Sequence, residues 1–143
     1  MTVGTILSAK GREVVTTQPG ANLTVAAKLL AEKRIGALLI IDSDHRIVGI
    51  LSERDIVRAI AQRGAVALDD FVSTAMTRDV MTCKETETIA SIMDRMTAGR
   101  FRHLPVINQG QLVGMISIGD VVKYRVHEME RDTTQMREYI LTA

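Results

Sequence analysis

A chain of 143 residues, 46% apolar but only 3% aromatic, must build its core from Val, Ile, Leu, Ala and Met, and is too hydrophobic to stay disordered. Its net charge of +1 lacks the basic excess of a nucleic-acid binder. The single cysteine, Cys83, excludes an internal disulfide and fits a reducing cytoplasm, while the opening residues lack the apolar core of a signal peptide. The longest strongly apolar run, Ala37–Ile41, is too short to cross a bilayer.

The first element in chain order is a short β segment, Val14–Thr17. A helix follows, with Asn22 as N-cap and Leu23, Ala26, Ala27 and Leu30 as its apolar stripe. Strand Ala37–Ile41, a polar turn and strand Ile47–Leu51 come next. A second helix starts after Ser52 and stops at Gly64. Residues 65–74 form a linker. The same order then returns. A β segment at Val80–Cys83 leads to a helix capped at Thr86, with Ile89, Ile92, Met93 and Met96 on one face. Strands Leu104–Ile107 and Leu112–Ile116 precede a helix that starts after Ser117.

The return is a duplication. Val14, Thr16, Arg34, Leu38 and Ile41 recur as Val80, Thr82, Arg100, Leu104 and Ile107. One residue is then lost from the second turn, and Val48, Gly49, Ser52, Asp55 and Val57 recur as Val113, Gly114, Ser117, Asp120 and Val122. The expected fold is α/β (α+β): two β-α-β-β-α units, residues 5–64 and 75–127, packed through their sheets about a pseudo-twofold. An extended C-terminal helix over 121–141 follows. On it Val122, Val126, Met129, Thr133, Met136 and Ile140 alternate spacings of four and three, a heptad-like seam with one polar position. That seam predicts pairing with a second copy of the chain.

Two segments carry the chemistry. Gly49-Ile50-Leu51-Ser52-Glu53-Arg54-Asp55 and Gly114-Met115-Ile116-Ser117-Ile118-Gly119-Asp120 share Gly-h-h-Ser-x-x-Asp, where h is apolar. Arg102-His103-Leu104-Pro105-Val106-Ile107-Asn108 adds an Arg/His-h-Pro-h-h-Asn strand. An aspartate near a helix start can accept hydrogen bonds from both vicinal hydroxyls of a ribose, as an acidic residue does in dinucleotide folds. The serine hydroxyl and the first-turn N–H groups suit a phosphate or a sugar oxygen. Ser-x-x-Asp is also a plain helix N-terminus of capping-box type, and one residue can cap when the site is empty and bind when it is full.

Together these segments resemble the cystathionine β-synthase (CBS) domain, over roughly residues 5 to 127. The resemblance implies a Bateman module, a pair of CBS units that takes adenosyl ligands in two clefts and often dimerises. It places Ser52, Asp55, Val80, Met81, Arg102, His103 and Pro105 in one cleft. The other receives Ser117, Asp120, Val14, Val15, Gly36 and Ala37. Gly36 and Ala37 stand where the second copy has Arg102 and His103, so the Asp120 cleft lacks those cations and is expected to hold a less charged group, to use its own basic residues such as Lys123, or to stay empty. Asp55 is therefore expected to hold phosphorylated ligand more tightly. AMP heads the ligands implied, with ATP, ADP, NAD and S-adenosylmethionine open.

No nucleophile, acid and base stand together, so the chain is read as a regulatory module rather than an enzyme. Its alternative is a ligand-free dimeric adaptor. His45 and His127 lack partners at metal-ligand spacing, so no metal is required. Cys83 reads as a small buried side chain, and Arg54 and Arg58 as surface charge. The partners expected are an adenosine-containing small molecule, a second copy and an unidentified effector protein, with no nucleic acid and no membrane.

Overall fold

The computed structural model describes residues 1–142. In chain order the elements are α1 (Val3–Lys10), β1 (Thr16–Thr17), α2 (Leu23–Lys33), β2 (Ala37–Ile41), β3 (Ile47–Ser52) and α3 (Glu53–Arg63). A 3-10 turn (Gly64–Asp69) leads to α4 (Val72–Ala75), α5 (Ile89–Gly99), β4 (His103–Asn108), β5 (Gln111–Ser117) and α6 (Ile118–Thr142). The chain divides into two compact units. One is Val14–Val80; the other joins Met1–Glu13 to the chain from Met81 onward.

In the Val14–Val80 unit, β1, β2 and β3 form one sheet in that order. β1 runs parallel to β2, with Thr16 opposite Leu39, and β3 returns antiparallel, with Ala37 opposite Ser52. Asn22 caps α2 as expected, its side chain accepting from Val25 N at 2.9 Å. That helix buries Leu23, Ala26 and Leu30 against Leu38, Ile40 and Leu51 of the sheet. It ends at Arg34 in the left-handed region (φ 53°), and α5 ends the same way at Arg100 (φ 56°). The duplicated arginine thus marks the same helix stop twice. The 65–74 linker is itself folded: Ala67 and Val72 are fully buried, and Val72 N donates to Ala21 O at 2.8 Å.

The other unit pairs β4 with β5, His103 lying opposite Ser117. Its helix α5 is capped by Thr88 rather than Thr86, Oγ1 accepting from Ser91 N at 3.1 Å. Thr86 falls inside the turn closed by Glu87 N donating to Lys84 O at 3.2 Å. The β segment expected at Val80–Cys83 shrinks to one parallel bridge, Cys83 with Val106. Proline explains the loss. In the first unit Leu39 N donates to Val15 O at 3.2 Å. The matching residue on β4 is Pro105, which has no N–H to offer Met81. Met81 is left 45% exposed.

The two short leading helices trade places. α1 precedes the first repeat but belongs to the second repeat's unit. Its Val3, Ile6 and Leu7 are buried with Ile89, Ile92, Leu104, Ile116 and Val121. α4, which precedes the second repeat, packs Val72 into the core of the first. The repeat boundaries read from the sequence and the compact units therefore cut the chain differently around residues 5–13 and 65–80.

Helix α6 runs 25 residues and buries only Val121. The predicted seam, Val122, Val126, Met129, Thr133, Met136 and Ile140, is exposed along its length. Among the described residues no helix is long and apolar enough to cross a membrane.

Candidate functional site

Both Ser-x-x-Asp motifs sit where a strand becomes a helix. At the end of β3, Ser52 caps α3, with Asp55 N donating to Ser52 Oγ at 3.3 Å. The carboxylate answers: Asp55 Oδ2 accepts from Ser52 N at 2.8 Å and from Ser52 Oγ at 3.1 Å. Arg58 approaches Asp55 Oδ1 at 3.3 Å. Asp55 is 8% exposed, the one charged side chain buried among the described residues. It lies on a recess of about 620 Å³ shared with Arg58, Gln62 and Thr74.

The second junction repeats this pattern. Asp120 N donates to Ser117 Oγ at 3.2 Å, and Ser117 N to Asp120 Oδ2 at 2.9 Å. One partner is new. Lys10, at the end of α1, donates Nζ to Asp120 Oδ2 at 2.7 Å and to Met115 O at 3.1 Å. Partial burial pushes the Asp120 carboxyl up, but the hydrogen bonds from Lys10 and Ser117 and the lysine's charge outweigh it, so its pKa lies below the ordinary value. Nothing in the motif itself signals Lys10. The signal is its place in the duplication: 66 residues on, the matching position is Met76.

The motif glycines are packing positions. A Cβ on Gly49 would strike the thioether of Met76, and one on Gly114 would lie 2.6 Å from Leu7 Cδ2. Side chains beneath these glycines already fill the space a Cβ would take.

Strand register assigns the remaining candidates. Glu53 N donates to Gly36 O at 3.0 Å, and Ile118 N to Arg102 O at 2.8 Å. Gly36 and Ala37 therefore flank the Ser52–Asp55 junction, with Val14 and Val15 in the same unit. Arg102, His103, Pro105 and Met81 share a unit with Ser117 and Asp120. Val80 is the last residue of the other unit. Arg102 is exposed and His103 half-buried, while Lys123 lies exposed near the Tyr124 ring. Burial pushes the Cys83 thiol up to about 12, so it is protonated and not nucleophilic at neutral pH. Among the described residues no three His, Cys, Asp or Glu side chains are grouped to hold a metal.

Comparison with known proteins agrees with this geometry. The CBS domain family model matches residues 6–62 and again 70–127. The chain is 38% identical over 121 residues to an uncharacterised 17.7 kDa protein of Acidianus ambivalens, covering 82% of this chain and 72% of that protein. It is 33% identical to the mitochondrial CBS domain-containing protein CBSX3 of Arabidopsis thaliana, covering 80% of this chain but only 58% of that relative. Among solved structures, the CBS-domain containing protein ATU1752 from Agrobacterium tumefaciens superposes with a TM-score of 0.84 at 47% identity, over 87% of this chain and 92% of that one. The CBS domain protein PAE2072 from Pyrobaculum aerophilum, complexed with AMP, gives 0.74 at 31% identity, over 84% and 89%. The CBS domain pair of MJ0100, in complex with 5′-methylthioadenosine and S-adenosyl-L-methionine, gives 0.79 at 26% identity, over 90% and 98%. With one strand-to-helix junction built twice and the family model matched to each copy, the chain belongs to the CBS domain family and carries that domain as a tandem pair.

Proposed function

We propose that the chain is a regulatory module, not an enzyme, that binds the adenosine part of a nucleotide at its two Ser-x-x-Asp junctions. AMP is the first choice of ligand, with ADP, ATP and NAD as further members of the same chemical class, and no metal is needed to hold it. The observation that carries the reading is the matched posture of Asp55 and Asp120. In each, Oδ2 is fixed by the serine N–H, which aims the carboxylate so that a pair of ribose hydroxyls can engage its two oxygens, displacing Arg58 from Asp55 Oδ1 at the first junction. Ser52 and Ser117, with the first-turn N–H groups behind them, suit the ligand's phosphate. Gly36 and Ala37 at one junction, and Arg102, His103 and Pro105 at the other, flank the ligand, while Val14, Val15, Val80 and Met81 offer apolar surface to the base. The AMP and methylthioadenosine complexes of similar proteins support the ligand class.

A ligand-free adaptor is the second reading, and the closed capping box of Ser52 and Asp55 favours it. Melting curves separate the two. A ligand bound only by the folded state adds about 2.7 kcal/mol at a hundredfold excess over Kd. AMP in that excess is expected to raise Tm by several degrees; an unmoved Tm leaves the adaptor.

The proposed assembly is a homodimer formed partly through α6, in the cytoplasm, passing its signal to an effector protein. Met129, Met136 and Ile140 are 53%, 61% and 66% exposed, a row of apolar side chains that pairing would remove from water. Light scattering is expected to give a dimer mass for the full chain and a monomer mass for a chain ending at Glu128. A shortened chain that keeps the dimer mass removes α6 from the interface.

A further inference from the structure

Each motif aspartate meets one cation, Arg58 from α3 itself at Asp55 and Lys10 from a leading helix at Asp120, and that difference in origin follows the repeat. Lys10 closes α1 and Met76 follows α4, the two leading helices in matching places. At the first junction the Met76 side chain lies over Gly49. At the second, the Lys10 ammonium reaches Asp120 Oδ2 and Met115 O. The strand beside each motif makes the same exchange, with Gly36 and Ala37 at Asp55 and Arg102 and His103 at Asp120.

We propose that Lys10 is a specificity-determining residue: it holds Asp120 while the site is empty and turns to the ligand's 5′ anionic group when the site fills. The Asp120 junction then selects adenosyl ligands that carry phosphate over neutral ones, and the Asp55 junction does not. The inference rests on the adenosine-binding reading above and reverses the ranking expected from the cleft residues alone.

An ammonium has three donors, and protein acceptors take two of those of Lys10. Asp120 Oδ2 already receives Ser117 N and Lys10 Nζ, so a ribose diol that engages both carboxylate oxygens displaces the lysine. A neutral ligand leaves that ammonium without its counter-charge, whereas a phosphate accepts it. Lys10 is 38% exposed, and its flexible four-carbon stem lets the head move without disturbing the core. Met76 offers no such donor, and the cation at the first junction, Arg58, meets Asp55 Oδ1 from the next turn of α3 and leaves Oδ2 to Ser52.

Calorimetry of the full chain tests this, with AMP and 5′-methylthioadenosine as the anionic and neutral probes. Lys10→Met is expected to weaken AMP at one of two sites by about tenfold and to leave methylthioadenosine unchanged or tighter. Lys10→Arg is expected to restore AMP. Equal weakening of both probes, no change in either, or wild-type sites that hold the neutral probe as tightly as AMP overturns the inference alone. Wild-type protein that binds neither probe overturns it together with the adenosine-binding reading.

Discussion

Replacing Asp55 and Asp120 together by Ala is expected to abolish AMP binding, and each single replacement to remove one of two binding events in calorimetry. A carboxylate that accepts two ribose hydroxyls makes two charge-assisted hydrogen bonds, each worth about 1.5–3 kcal/mol. Losing both corresponds to a fall in affinity of about a hundredfold or more, at roughly 1.4 kcal/mol per decade. The folded state loses less. Truncation forfeits the reciprocal cap of α3 or α6, about 1 kcal/mol for a capping contact. Either truncation leaves a serine N–H without its acceptor, and Asp55→Ala is the costlier of the two because Asp55 is the buried one. Asn at either position keeps the shape and one acceptor oxygen but gives up the charge, so its affinity falls between the two. Wild-type AMP affinity in the double Ala variant would end the assignment of these carboxylates to the sugar.

The second large effect falls on packing. Gly114→Ala is expected to destabilise the protein by about 1–3 kcal/mol, the range for an added methyl in a filled core, or roughly 4–12 °C in Tm for a chain of this size. The new Cβ would meet Leu7 Cδ2 at 2.6 Å and Cδ1 at 2.9 Å. Leu7 is 1% exposed and cannot swing aside. Leu7→Ala in the same chain is expected to recover part of the loss, giving a coupling energy that two independent sites would not show. Gly20→Ala is the control: nothing lies within 4 Å of its Cβ, and its effect is expected within about 0.5 kcal/mol. A Gly114 variant as stable as that control would mean that α1 does not seat on β5.

Much of the fold was legible because the duplication made each signal appear twice. Asn22 before Leu23, the all-aliphatic β2 and the polar hairpin turns are local features, and they formed where their residues predicted. The placement of Thr86 failed because two threonines flank Glu87 and only the second adjoins the helix. The lost β segment at Val80 turned on a missing N–H at Pro105, more than twenty residues away, which no local window contains. Of the candidate site, both Ser-x-x-Asp motifs were legible, since spacing alone sets a reciprocal cap. Lys10 was not. Its ion pair spans a separation of 110 residues, and reading it required knowing that α1 leaves its own repeat.

That exchange of leading helices bears on how the chain is made. Ribosomal synthesis adds about 5–20 residues per second. The apolar face of α1 therefore emerges on the order of ten seconds before β5 exists to receive it. Val3, Ile6 and Leu7 leave the exit tunnel well before the elements from Cys83 onward that bury them. The Val14–Val80 unit can close by itself in the meantime, so its partner is the half whose maturation waits for the nascent end.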